Sequence, residues 1–260
     1  MKELLSIAWP DMISFVFVFV RIGIIFAMLP FFGTEIMPRR IIATIAFFLS
    51  LVIMPVVPPA RISLESLNIF SFGLLLVHEL LIGLCLGLSV NVITAGSQIA
   101  GQIIGFQIGF AIANVVDPMT GEDAPITSNI LYVTTFLLFL SLGGHHMLIK
   151  ALMESFYVIP IEASLPRQGY LVAAMSYSAK MFIIAMKMAA PVIGVLLLMN
   201  ISFGLVARAI PQMNVFIMSF PLTISVGLIF TVIVIKLMPH VLSISLGDAW
   251  VFMKSSLALF

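Results

Sequence analysis

The sequence predicts an all-α, polytopic integral membrane protein, and three observations carry this reading. Of 260 residues, 62% are hydrophobic and only 9% charged, against roughly 25% charged in soluble domains. The mean hydropathy is +1.24. The apolar runs reach the length of a membrane span without the period-2 alternation of a β-barrel, and lipid admits only helices or closed barrels as spanning structures. A net charge of +1, with no basic cluster, excludes a nucleic-acid surface. The single cysteine, Cys85, lies in an apolar run as a packing residue and has no second cysteine to pair with.

The first run, Met12 to Phe32, has the length of one span. It is expected to be retained, because Glu3 and Asp11 follow Lys2 and no A-x-A-like cleavage end closes the run. Arg21 interrupts it. A charge at membrane depth costs at least about 2.5 kcal/mol, so Arg21 must face protein or a polar cavity. Pro30, Gly33 and Pro38 mark a turn before the second run, Ile41 to Val57, which Pro55, Pro58 and Pro59 close. The third run, Ile69 to Ile93, holds His78-Glu79 and the small-residue step Gly83/Gly87. Neighbours on a helix point about 100° apart, so His78 and Glu79 read as separate interhelical hydrogen-bonding groups rather than a proton relay.

The stretch Gly101–Pro118 is apolar yet poorly suited to face lipid. Ser97, Gly101, Gly105, Gly109 and Ala113 recur every four residues, a stripe that lets another backbone approach closely. Gln98, Gln102 and Gln107 add amides that need partners in hydrocarbon. Asp117-Pro118 is expected to end the helix, since proline lacks the N–H and biases its predecessor away from helix. Two readings stay open: a tightly packed bundle helix, or a segment that lines or blocks a passage.

An acidic loop (Thr120 to Ser128) precedes the run Asn129 to Leu142, which leads into Gly143-Gly144-His145-His146. Lys150 and Glu154 have the i, i+4 spacing of a helical pair. Pro160 and Pro166 flank the best boundary between two halves. In the second half, Tyr170 to Leu198 carries Lys180 and Lys187 two turns apart on one face, and Pro191 is expected to kink it. Asn200, Gly204 and Arg208 continue at i, i+4 toward Pro211-Gln212-Met213-Asn214. Val215 to Ile235 crosses back, and Lys236–Phe260 reads as an interfacial amphipathic tail. The basic residues are spread too evenly to orient the chain.

Chemistry is sparse. His145-His146 lacks the further ligands of a zinc site and is read as capping a helix end. No P-loop, glycine fingerprint or nucleophile elbow occurs, and Asp117 is the only acid near the central stretch. No enzyme and no cofactor are expected.

Three stretches occur in a specific order: GQIIGFQIGFAIANVVDP, LFLSLGGHHMLIKALMESFYVIP and APVIGVLLLMNISFGLVARAIPQMNVFIMSFPL. Within them stand Gly109, Asp117-Pro118, Gly144-His145, Ser155-Phe156 with Pro160, and Arg208-x-x-Pro211-Gln212-x-Asn214, preceded by Arg21-x-Gly23 and Pro30-x-x-Gly33. This set resembles the FliR/SctT family of type III secretion export-gate proteins over essentially the whole chain. The resemblance implies a FliP-like first part (residues 1–165, with a plug at 101–118), a FliQ-like hairpin (166–236) and a C-terminal tail (237–260). It implies a peptide-conducting gate built with FliP and FliQ, served by FlhB and FlhA, in the bacterial inner membrane at the flagellar basal body. Phe106, Ile108, Gly109, Phe110 and Ile112 would then form the plug, with Ser97, Gly101, Gly105, Gly109 and Ala113 packing it. Arg21, Asp117, Lys180 and Lys187 would lie at subunit interfaces, and Arg208, Pro211, Gln212 and Asn214 at the cytoplasmic entrance. The flagellar branch is favoured over the injectisome. Two other classes remain beside this: an ion-coupled secondary transporter using His78, Glu79, Asp117 and the lysines, which the lack of an internal repeat disfavours, and a scaffold for another membrane complex.

Overall fold

The computed structural model describes residues 2–29, 38–58, 68–110, 125–160, 169–210, 212 and 214–260, the side chains of 2–11, 215 and 216 excepted. The regular elements among them are all helical. They are α1 (Lys2–Met28), α2 (Arg39–Ile53) with a 3-10 turn (Met54–Val56), α3 (Ile69–Ile108), α4 (Ile126–Ser141), α5 (Gly144–Val158), α6 (Tyr170–Ser178), α7 (Lys180–Ala209) and α8 (Val215–Leu257). Among the described residues, four segments are long and apolar enough to cross a membrane: Arg39–Val56, Ile69–Ile108, Tyr170–Ala209 and Ile217–Leu257. The chain is therefore an all-α multi-pass membrane protein.

Helices longer than expected account for the main departures from the sequence reading. α3 runs 40 residues without interruption, joining the expected third run to the start of the glycine-rich stretch. Interior glycines weaken a helix by only about 1 kcal/mol each, and here close packing offsets that. α8 runs 43 residues through Pro221 and Pro239. Lys236–Leu257 is thus the continuation of α8 and not a separate tail helix, and it buries Leu242, Leu246, Ala249, Phe252 and Met253. α7 likewise continues through Pro191. At about 1.5 Å per residue, α3 and α8 are each roughly 60 Å long, twice the hydrocarbon core of about 30 Å.

The chain packs as two compact units. The first comprises Met1–Val92, Gly143–Ser178 and Leu246–Phe260; the second comprises Ile93–Leu142 and Ala179–Ser245. This is a division by packing, different in kind from a division by likeness to FliP and FliQ. In the first unit Phe17, Ile22 and Ile25 of α1 and Ile82, Leu86 and Val90 of α3 are all buried. Helices approach closely at glycine, as expected of small-residue contacts in lipid. A methyl on Gly87 would fall 2.5 Å from Met28 Cβ. Several buried or half-buried polar groups find backbone partners: Tyr170 Oη donates to the Leu81 carbonyl (3.0 Å), Tyr177 Oη to that of Ser89 (2.9 Å) and Asn91 Nδ2 to that of Met28 (3.1 Å). In the second unit Ala100, Ile104 and Ile108 of α3, Ile184, Ala185 and Val192 of α7 and Val234 of α8 are buried.

Candidate functional site

Within the second unit, the last three turns of α3 are held by the start of α4. Ser97, Gly101 and Gly105 are buried. Thr127 Oγ1 donates to the Gly101 carbonyl (2.7 Å) and Ser128 Oγ to the Gln98 carbonyl (3.1 Å). A Cβ on Gly101 would sit 2.4 Å from Ser128 Cα, and one on Gly105 would sit 2.5 Å from Pro125 Cβ. Backbone meets backbone at Gly101, and at Gly105 the helix meets the Pro125 ring and Thr127 Oγ1, so neither position has room for a methyl. Gln102 and Gln107 are exposed.

α3 does not run to Asp117-Pro118. It closes at Gly109, whose φ is +98°. Phe110 N–H donates to the Gly105 carbonyl (3.0 Å) and Gly109 N–H to Phe106 (3.2 Å), the paired bonds of a Schellman cap. A positive φ is where glycine has no steric penalty. The cap therefore supersedes the proline as the helix terminator, eight residues earlier than expected. It also takes Gly109 off the packing stripe, leaving it facing Phe220 Cε2 at 3.1 Å from an ideal Cβ.

The expected plug residues separate sharply. Phe106 is 60% exposed, Ile108 is 0% exposed, and Phe110 is half-buried. Ile108 fills a hole on α8: a Cβ on Gly227 would fall 2.4 Å from Ile108 Cγ1. Ile112, Ala113, Asp117 and Pro118 lie outside the described residues. Two close approaches were not anticipated. Gly227 is one, and Gly96 is the other, with Ile184 Cβ and the Met181 carbonyl each 2.9 Å from its ideal Cβ. A glycine opposite a bulky residue on a distant helix leaves no local periodicity to read.

The first unit contains a buried charge pair. Arg21 is 0% exposed and its guanidinium forks onto Glu79, Nε to Oε2 (2.5 Å) and Nη2 to Oε1 (2.9 Å). Nη1 donates to Ser155 Oγ (3.0 Å), and the Phe156 ring lies 4.2 Å from Cζ. Arg21 was expected at a subunit interface; its side chain is instead enclosed by its own chain, because a bidentate carboxylate 58 residues away meets its charge. Glu79 fulfils interhelical hydrogen bonding, but neither nitrogen of the buried His78 has a hydrogen-bond partner among the described residues. His78 instead meets the Phe260 ring edge-on at 5.5 Å.

Elsewhere, Glu154 lies 4.0 Å from Lys254, and Lys254 and Lys150 both approach the Trp250 ring, at 4.7 and 5.5 Å. α5 begins after Gly143, whose φ is +74°, with the His145 and His146 rings 4.0 Å apart. No group of three or more metal-ligating side chains occurs among the described residues. Lys180 is half-buried and Lys187 exposed on α7. Arg208 is exposed in the last turn of α7, where a cation complements the helix dipole. Gln212 and Asn214 are also exposed, and Pro211 lies outside the described residues.

Comparison with known proteins decides the family. Residues 12–248 match the family described as "Bacterial export proteins, family 1". The chain is 38% identical over 226 residues to the flagellar biosynthetic protein FliR of Bacillus subtilis, covering 85% of each chain. It is 32% identical to FliR of Pectobacterium carotovorum (87% of this chain, 85% of the relative). With FliR of Escherichia coli it shares 30% identity (80% and 78%). This chain belongs to the FliR family of bacterial export proteins. It is a membrane protein of flagellar biosynthesis and protein export.

Proposed function

We propose that this protein is a non-enzymatic subunit of the flagellar type III secretion export gate. With FliP and FliQ it forms a channel for unfolded export substrates, in contact with FlhB and FlhA, at the inner-membrane base of the flagellum. The observation that carries the reading is the end of α3. A helix locked by close contacts at Gly101 and Gly105 presents exposed Phe106 just before a glycine cap at Gly109. A fixed stem and an apolar, remodelable tip are what a resting seal requires. Phe106, Phe110 and Ile112 supply the seal, while buried Ile108 anchors it. Lys180 and Asp117 face acidic or basic partners on neighbouring subunits, and Arg208, Gln212 and Asn214 lie at the entrance that substrates meet. Ion-coupled transport draws less support, since the Arg21 fork already occupies Glu79.

Native mass spectrometry of the tagged protein, purified in mild detergent with its co-expressed operon, tests the assembly. One copy with several copies of two smaller membrane proteins is expected; a lone monomer or homodimer refutes the gate. Deleting Phe106–Ile112 tests the seal. Ion leakage in cells holding an assembled gate is expected to rise, and an unchanged leak refutes the plug.

A further inference from the structure

Within the second unit the end of α3 meets α8 at two places, and at each a side chain of one helix faces a glycine of the other. Ile108 of α3 fills the space beside Gly227 of α8. One residue further along α3 the arrangement is reversed. Gly109 lies under the ring of Phe220, whose Cε2 and Cδ2 are 3.1 and 3.8 Å from where a Cβ would stand. Phe220 and Gly227 are two turns apart and share one face of α8. Burial rises along that face away from Phe220. Phe220 is 44% exposed, Thr223 and Ile224 are half-buried, Gly227 is buried, and Thr231, Val234 and Met238 are at most 5% exposed. Phe220 is therefore the outermost residue of the seam, and the backbone it covers is the glycine cap itself.

Neither side of this contact is held firmly by its own helix. On α3 the cap is the last hydrogen-bonded turn, closed by the Gly109 and Phe110 N–H groups. On α8, Pro221 follows Phe220 directly and stands inside the helix. Proline has no N–H, so the Ile217 carbonyl loses its i+4 helical donor. The turn that carries Phe220 is one hydrogen bond short, and its other apolar side chains, Ile217, Met218 and Leu222, are exposed. A large ring on such a turn, resting on backbone without a side chain, adds little to the core. It is well placed to hold the cap and to release it.

We propose that Phe220 is a positioning residue of the seal, its ring lying on the Gly109 cap and holding the tip of α3 against α8. The inference rests on the reading of the α3 end as a resting plug, and it adds a second helix to that plug. Gly109 then has two separate reasons to lack a side chain: its positive φ and the ring above it. Withdrawing Phe220 frees the cap and leaves Ile108 anchored at Gly227, so the tip yields while the stem stays fixed.

The test compares Phe220→Ala with Phe220→Tyr and with the Phe106–Ile112 deletion, for ion leak in cells holding an assembled gate. Amide exchange is followed in the full chain purified in detergent, a readout that needs no assembly. Phe220→Ala is expected to raise the leak toward that of the deletion, with partner copy numbers unchanged. It is also expected to speed exchange at Gly109 and Phe110 about fivefold, as a small loss of local stability does, and to leave Gly101 and Gly105 at the native rate. Phe220→Tyr keeps the ring and is expected to match the native protein in both. Native leak and native exchange at the cap in Phe220→Ala overturn the proposal, even where melting is lowered, because the ring would then serve only the packing of α8. The deletion separates this inference from the plug beneath it. Leak from the deletion but not from Phe220→Ala overturns the role of Phe220 alone, and leak from neither overturns the plug as well.

Discussion

Removing one half of the Arg21–Glu79 fork should do more harm than removing both. Arg21→Met deletes the guanidinium but leaves Glu79 at 0% exposure, with its two nitrogen donors gone. Breaking a buried pair in this way costs about 3–5 kcal/mol, whereas replacing the whole pair by apolar residues is often near neutral. Glu79→Leu strands the guanidinium in turn, although Ser155 Oγ and the Phe156 ring still hold it in part. Arg21→Met should therefore be the worse single variant, by about 1.5 kcal/mol or more, the scale of a surviving hydrogen bond to a charged group. The double variant should recover most of the loss, giving a coupling energy of at least about 2 kcal/mol, well above the additive error for distant sites. The assay is thermal unfolding in detergent, followed by loss of folded monomer on size exclusion, with membrane abundance as a check in cells. Additive single and double variants would refute the reasoning, since they would mean that neither charge depends on the other.

Other outcomes follow from the second unit. Gly101→Ala places a methyl 2.4 Å from Ser128 Cα, and overpacking against backbone should lower stability by about 1–3 kcal/mol; melting of purified protein measures it, with Gly194→Ala, which meets nothing within 4 Å, as the neutral control. Gly109→Ala forces a Cβ into a positive-φ position at about 1–2 kcal/mol. Amide exchange should accelerate at Gly109 and Phe110, with Gly109→Asn intermediate. Ile108→Ala should destabilise by about 2–5 kcal/mol through the cavity it leaves, whereas Phe106→Ala should leave melting unchanged and raise ion leak; a shared phenotype would place the two side chains in one role.

The sequence is most informative where the physics is local. Composition and run length identify a helical membrane protein, because every backbone group in lipid must be bonded within its own segment. The i, i+4 glycines at 101 and 105 lie in a contiguous pattern, so close approach is legible even without knowing that Pro125, Thr127 and Ser128 provide it. Helix ends are less legible. Gly109 keeps the same spacing as its neighbours, and only its φ distinguishes a cap from one more packing glycine. Long-range pairing is least legible of all. Arg21 demands a counter-ion, but nothing near it in the chain singles out Glu79 over any other acid, and His78 gives no sign that it will find no hydrogen bond among the described residues. Gly227 sits in an ordinary apolar run whose one unusual property is the side chain it admits from α3.

That last contact bears on how freely the chain can exchange parts with its relatives. Ile108 and Gly227 stand 119 residues apart yet share one volume, a γ-branch on one helix occupying the space a β-carbon would take on the other. Neither can be altered alone in the direction of larger size. A graft of the α3 terminus from another family member should succeed only when the donor residue at 108 suits the recipient's residue at 227, or when α8 travels with it. The modular unit for chimaeras in this half of the molecule is accordingly a helix pair, not a contiguous stretch of sequence.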